Sequence, residues 1–207
     1  MRQVLGRANS SNVMKVVWLL EELGLPYERL DVGGPFGGNA TPEYRAMNPT
    51  GGIPTLVEDG FILWESNVIL RYLCAAHAPG HAMWPEGVQA RAGVDQWMDW
   101  QQASLGPPQT VVFQGLVRTP PERRDHAAVA AAVKLLGERW SLLDARLAGR
   151  PWVAGPDFSL ADIALGVHAH RWLQFDLDRP EQPHLRAWYE RLLARPAYAA
   201  HVALPMT

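Results

Sequence analysis

The first third of the chain limits its fold more than any other part of the sequence. Gln3, Val4 and Leu5 make a brief extended run that ends at Gly6, and from Val13 the apolar residues Val13, Val16, Val17, Leu20 and Leu23 recur at the spacing of one helix face. Gly24 stops that helix, and Leu25-Pro26-Tyr27 turns the chain into a second extended run over Tyr27–Val32. Residues 33–39 read as loop, and Pro42 suits the first position of a short helix from Thr41. Ile53–Glu58 and Phe61–Trp64 flank Asp59-Gly60, the signature of an antiparallel hairpin with a type I′ turn. Glu65 and Ser66 then open an amphipathic helix through Val68, Ile69, Tyr72, Leu73 and Ala76.

The order β-α-β-α-β-β-α demands a right-handed crossover between parallel strands, to which the hairpin adds an antiparallel edge. This is a thioredoxin-like α/β arrangement, expected over residues 1–77. Residues 78–88 hold Pro79, Gly80, Pro85 and Gly87 and read as a linker. Beyond them no strand is expected, so 89–207 is predicted to be all-helical. Its helices are Gln89–Leu105, broken by Gly106-Pro107-Pro108, then Arg123–Leu147, Ser159 to about Trp172, and Leu185–Leu193. Ser159-Leu160-Ala161-Asp162 matches a capping box, a structural role for Asp162.

Function classes that need an extreme composition are disfavoured. A net charge of −2 with no lysine or arginine run offers no concentrated footprint for nucleic acid or an anionic membrane. No stretch approaches the roughly 20 apolar residues of a membrane span, and the N-terminus lacks the apolar core of a secretory signal. The single cysteine, Cys74, allows neither an intrachain disulfide nor a C-x-x-C site, and it sits on an apolar helix flank as a structural residue. These features suit a reducing, cytoplasmic setting. His168 and His170, two apart on a helix, face different ways and make a poor metal pair.

Three elements converge at one end of the predicted sheet: the loop Gly6–Asn12, the turn Asn48–Pro54, and the helix start at Glu65-Ser66. Helix N-termini carry unpaired N–H donors and partial positive charge, so two of these elements favour anionic groups. Ser10, Ser11 and Asn12 read either as N-caps or as donors to the sulfur of a bound thiol, which such a setting converts toward the reactive thiolate. The two readings coexist if one serine caps and its neighbour faces the ligand. If the Ile53-Pro54 bond is cis, the Ile53 backbone turns outward toward a peptide-like ligand. Glu65 and Ser66 read either as caps or as partners for the ammonium and carboxylate of an α-amino acid head group. Lys15, one turn into the first helix, reads either as a source of charge for the ligand or, the plainer reading, as solvated or salt-bridged.

SSNVMKVVWLLEELGLPYE, NPTGGIPTL, LWESNVILRYL and WVAGPDFSLADIAL resemble, in order and spacing, the successive signatures of cytosolic glutathione transferases. The resemblance spans nearly the whole chain. It implies a thioredoxin-like domain that binds glutathione as cosubstrate, a helical domain that takes the electrophile, no metal, and a homodimer serving detoxification. By position it assigns the activating hydroxyl of the theta, phi and zeta classes to Ser10, and the asparagine of nu-like members to Asn12, with Ser11 in reserve. Ile53 and Pro54 match the cis-proline site and Glu65-Ser66 the γ-glutamyl site. Where several serine classes carry a histidine and a lysine for the glycine carboxylate, this chain has Asn39 and Gly52, so neutral donors are expected there. Trp97, Trp100, Pro107, Pro108, Val111, Phe113 and Trp172 are the candidate apolar pocket, against the plainer reading of helix core. Two other functions remain open at this level. One is glutathione-dependent disulfide or peroxide reduction, and the other is a non-catalytic binding or assembly module.

Overall fold

The computed structural model describes residues 1–206 of the chain. β1 (Arg2–Leu5) leads into α1 (Ser11–Glu22), and β2 (Glu28–Leu30) pairs parallel to β1. After α2 (Pro42–Met47), the strands β3 (Thr55–Glu58) and β4 (Phe61–Trp64) form the hairpin, and α3 (Ser66–His77) follows. The sheet order is β2-β1-β3-β4, with β3 antiparallel to both neighbours. Asp59 and Gly60 take φ of 48° and 87°, the positive pair that a type I′ turn needs. The domain is thioredoxin-like, as expected. β3 starts at Thr55 and not at Ile53, because Pro54 has no N–H to give the ladder.

α1 is buried on almost every side. Val13, Val16, Val17 and Leu20 face the core as their spacing predicts, and Trp18 and Leu19 are buried as well. A helix apolar all round belongs between layers. Here the second layer is the helical domain, whose Phe158 and Tyr198 rings stand 5.7 and 4.7 Å from the Trp18 ring. Gly166 makes that approach possible, since a Cβ there would lie 2.9 Å from Leu192 and 3.0 Å from Trp18. One continuous apolar core therefore runs through both domains.

The helical domain comprises α4 (Val88–Trp100), α5 (Gly106–Phe113), α6 (His126–Leu147), α7 (Leu160–Gln174), α8 (Pro183–Leu193) and α9 (Pro196–His201), with no strand among the described residues. Gly106-Pro107-Pro108 does not break the chain, which corrects the sequence reading. A π-helical turn, Gln101–Leu105, carries α4 into α5, and a second one, Gln114–Arg118, extends α5. The prolines fall in the first turn of α5, where an absent N–H costs little. α6 begins three residues later than expected, at a cap in which Asp125 accepts from the Ala128 N–H at 2.9 Å. Asp162 does form the capping box at the start of α7. Its carboxylate also accepts from the Val153 N–H and the Trp188 indole, at 3.0 and 2.9 Å. Cys74 is buried, and burial pushes its thiol up to about 12. Among the described residues no helix is long and apolar enough to cross a membrane.

Candidate functional site

The N-termini of α1 and α3 meet at one end of the sheet. Neither has an acidic residue in its first turn to occupy its donors, and the Ser66 hydroxyl ties them together by donating to Asn12 Oδ1 at 3.2 Å. Between them and α4–α5 lies a cleft of about 150 Å³. Ser11, Asn12 and Lys15 line one wall, Glu65 and Ser66 a second, and Gln101, Gln102, Gly106 and Thr110 a third, with His168 at its base. Glu65 holds φ 69°, ψ 111°, in the left-handed half of the map that non-glycine residues rarely occupy, and its carboxylate accepts from Gln102 at 3.3 Å. Such a conformation persists only where the surroundings fix it.

The three candidate donors occupy different settings. Ser10 sits at the N-cap of α1 in extended conformation and is 9% exposed, yet its side chain caps no backbone N–H. Ser11 is half-buried on the cleft wall, and Asn12 is exposed beside it. Ser10 itself is not part of that wall.

The Ile53-Pro54 bond is cis. Ile53 makes no backbone hydrogen bond among the described residues. A buried polar frame supports this turn from behind. Tyr44 Oη and Asn48 Nδ2 donate to the Gly52 carbonyl at 2.6 and 3.0 Å, and both also meet Thr55 Oγ1. Asn39 donates to the Gly51 carbonyl at 2.9 Å, and the Gly52 N–H donates to Thr50 Oγ1 at 3.0 Å. Asn39 and Gly52 thus brace the turn with the polar groups expected to face a ligand.

Lys15 is neither solvated nor salt-bridged, which corrects the sequence reading. It is 1% exposed, and its ammonium donates to three neutral oxygens: Gln101 Oε1 at 2.8 Å, Asn67 Oδ1 at 3.3 Å and Ser66 Oγ at 3.5 Å. Burial brings its pKa down to about 7, against the pull of the Glu65 carboxylate and with a further push from Arg171. Gln101 passes the network to His168 Nε2 at 3.0 Å. Burial, together with Lys15 and Arg171, holds His168 well below the ordinary histidine range, so it is neutral. His170 points elsewhere, to Tyr189 and the Leu204 carbonyl. Among the described residues no cluster of three His, Cys, Asp or Glu side chains stands ready for a metal.

The candidate apolar wall divides. Phe113 faces the loop that carries Ser10, with the Arg171 guanidinium 4.0 Å from its ring centre. Trp172 does not belong there: it is fully buried, stacks on Trp140 and donates to Gln182 at 2.9 Å. Trp97 and Trp100 pack on each other at 5.4 Å, and Trp97 faces Arg146 of α6, away from the cleft. Pro108 is buried, whereas Pro107 and Val111 are exposed on α5. The residues that α4–α5 does present to the cleft were not singled out from sequence. Gln102, Gly106 and Thr110 recur at intervals of four, a helical stripe that stands out only once the chain is known to stay helical through Pro107. Asn67 and Gln101 were likewise unmarked, and Lys15 was marked only as a source of charge for the ligand or as a solvated or salt-bridged residue.

The two domain sequences match known family models. Residues 9–76 match the glutathione S-transferase N-terminal domain, and residues 95–196 match the glutathione S-transferase C-terminal domain. The chain is 41% identical over 204 residues to glutathione S-transferase GstB of Escherichia coli K12, covering 98% of each. It is 32% identical over 199 residues to the disulfide-bond oxidoreductase YfcG of the same organism, covering 92% of this chain and 89% of the other. The crystal structure of the theta class glutathione S-transferase from Xanthomonas axonopodis pv. citri with glutathione bound superposes with a TM-score of 0.95, at 47% identity over 100% of this chain and 99% of the other.

Proposed function

The chain belongs to the glutathione S-transferase family and is a transferase that uses glutathione as cosubstrate, and we propose that it works by holding glutathione as its thiolate against a small electrophile. The observation that carries this mechanism is the meeting of two helix N-termini, neither with an acidic residue in its first turn, at a cleft that Lys15 and Glu65 line. In this reading Ile53 pairs with the cysteinyl backbone of glutathione. Ser66 takes the γ-glutamyl carboxylate and Glu65 its ammonium. Ser10, whose hydroxyl caps nothing, donates to the sulfur, and Asn12 directs its amide nitrogen to the same place. Helix dipoles and directed donors stabilise negative sulfur and lower the thiol pKa. The thiol proton leaves to solvent, and the thiolate attacks the electrophilic carbon. A carbon–sulfur bond forms while the leaving group departs with its bonding pair.

The same reading gives a cytoplasmic homodimer that disposes of reactive small molecules. The greater likeness to GstB than to YfcG favours conjugation over disulfide or peroxide reduction. Retention on immobilised glutathione, with turnover of a chloronitrobenzene, tests the proposal; failure of both supports a non-catalytic module. Ser10→Ala is expected to lower kcat about 100-fold with KM for glutathione little changed, the effect of losing one donor to a developing or stabilised anion. Unchanged turnover would move the role to Ser11.

A further inference from the structure

Lys15 stands behind the Ser66 hydroxyl in the wall of the cleft, and its three acceptors are side-chain oxygens held in place by other bonds. Asn67 donates its amide nitrogen to the Met98 carbonyl at 2.9 Å, which turns its Oδ1 toward the ammonium. Gln101 Nε2 donates to neutral His168 at 3.0 Å, which turns Oε1 the same way. Ser66 accepts from Lys15 and donates to Asn12 Oδ1. The cage thus joins α1, α3 and the first π-helical turn, and so spans both domains.

Three oxygens account for the three protons of an ammonium, but neutral dipoles offset the cost of burying a charge less than an anion does. A carboxylate among the three would hold Lys15 charged at any ordinary pH, whereas this cage lets it titrate at about 7. Glu65 at the start of α3 favours the ammonium, and Arg171 on α7 opposes it. His168 on α7 is neutral, and the π-helical turn presents the uncharged Gln101 and Gln102. The proton also decides what Ser66 does. Beside the ammonium, Ser66 accepts from Lys15 and its own hydrogen points to the cleft. Beside the amine, the nitrogen lone pair competes for that hydrogen. An anion arriving in front of Ser66 favours the ammonium twice, by its charge and by its need for the hydroxyl proton.

We propose that Lys15 is a positioning residue that takes up a proton from water when the γ-glutamyl carboxylate of glutathione settles against Ser66. This rests on the assignment of Glu65 and Ser66 to the γ-glutamyl group above. The consequence is pH-dependent capture. Affinity falls as pH rises from about 7, where the free protein gives up the proton that the complex needs.

S-Methylglutathione is the probe, because it has no thiol to ionise. Titration calorimetry at pH 8 in HEPES and in Tris, whose ionisation enthalpies differ, reads the protons taken up on binding. The wild type is expected to take up more than about half a proton per chain, and Lys15→Met and Lys15→Arg less than about 0.2. Arginine keeps its charge throughout, so the wild-type dissociation constant is expected to rise about tenfold from pH 7.5 to pH 9 relative to that of Lys15→Arg. 4-Aminobutyryl-S-methylcysteinylglycine lacks only the γ-glutamyl carboxylate and keeps the ammonium. With it the wild type is expected to take up no proton, an arm that needs no variant. Equal uptake by wild type and Lys15→Met overturns the proposal, as does uptake lost in His168→Gln but kept in Lys15→Met. Uptake undiminished with the carboxylate-free probe does the same. A wild type that binds S-methylglutathione with no uptake overturns the role of Lys15 and leaves the glutathione site standing. Absence of binding at every pH overturns the γ-glutamyl assignment itself, and the proposal with it.

Discussion

The ammonium of Lys15 carries three protons, and in the folded chain they meet three oxygens, none of them charged. The hydrogen bonds satisfy its donors but not its charge, which burial disfavours. Its pKa is therefore near 7 in the native state against 10.5 in an open chain. Between those values the unfolded state binds the extra proton, so Lys15 makes stability rise with pH from about 7 to about 10. At lower pH both states hold the proton and the penalty is constant. Lys15→Met removes this dependence, and the melting temperature of the wild type, relative to the variant, is expected to climb between pH 7 and pH 9.5. A flat difference across that range, measured by circular dichroism, would show the ammonium to be compensated. The sequence pointed to this residue but not to its burial, because what buries it is Gln101 and His168 of the helical domain. Nothing within one turn of Lys15 reports that packing. Ser10, Ile53-Pro54 and Glu65-Ser66 were legible because their signals are local: a cap position, an X-Pro bond, and a helix start after a hairpin.

At the scale of elements, the divide between legible and illegible follows the range of the determining interaction. The capping box at Ser159 was readable from four residues, and so was the Asp59-Gly60 turn. The path through Gly106-Pro107-Pro108 was not, since proline declares which N–H is absent but not that a π-helical turn will absorb the change of register. That turn has a consequence for the site, as π-helical turns often do. Gln101 opens it and reaches Lys15, while the second one ends at Arg118. Asp162 shows how far a local motif extends once the fold is formed. Its carboxylate serves the Ser159 N–H and hydroxyl, the Val153 N–H and the Trp188 indole, joining the start of α7 to the preceding loop and to α8. Asp162→Ala leaves these buried donors without an acceptor and is expected to cost about 3 kcal/mol or more. For a chain of this length that corresponds to a melting temperature lower by about 6 to 12 °C. A calorimetric shift below two degrees would mean that water replaces the carboxylate.

For the whole molecule, the continuous core explains why the two domains act as one body, with α1 enclosed between them, but it leaves one sheet edge uncovered. β4 is an edge strand, and it exposes Phe61 and Ile62, with Val68 exposed nearby at the start of α3. An open edge with apolar side chains is a pairing hazard unless something covers it. Phe36, in the loop before α2, is 57% exposed as well. A second copy of the chain related by a two-fold axis would bury these side chains in an isologous contact, the commonest way for such a surface to close. Light scattering is therefore expected to report twice the 23.0 kDa chain mass. Phe61→Asp places a charge where the copies would meet and is expected to give the single-chain mass, with the far-ultraviolet spectrum retained. If the wild type itself runs at the single-chain mass at micromolar concentration, the exposed edge needs another explanation and the dimer assignment fails. If Phe61→Asp remains double, the contact lies elsewhere, and α6, which exposes Leu135 and Leu142, is the next surface to substitute.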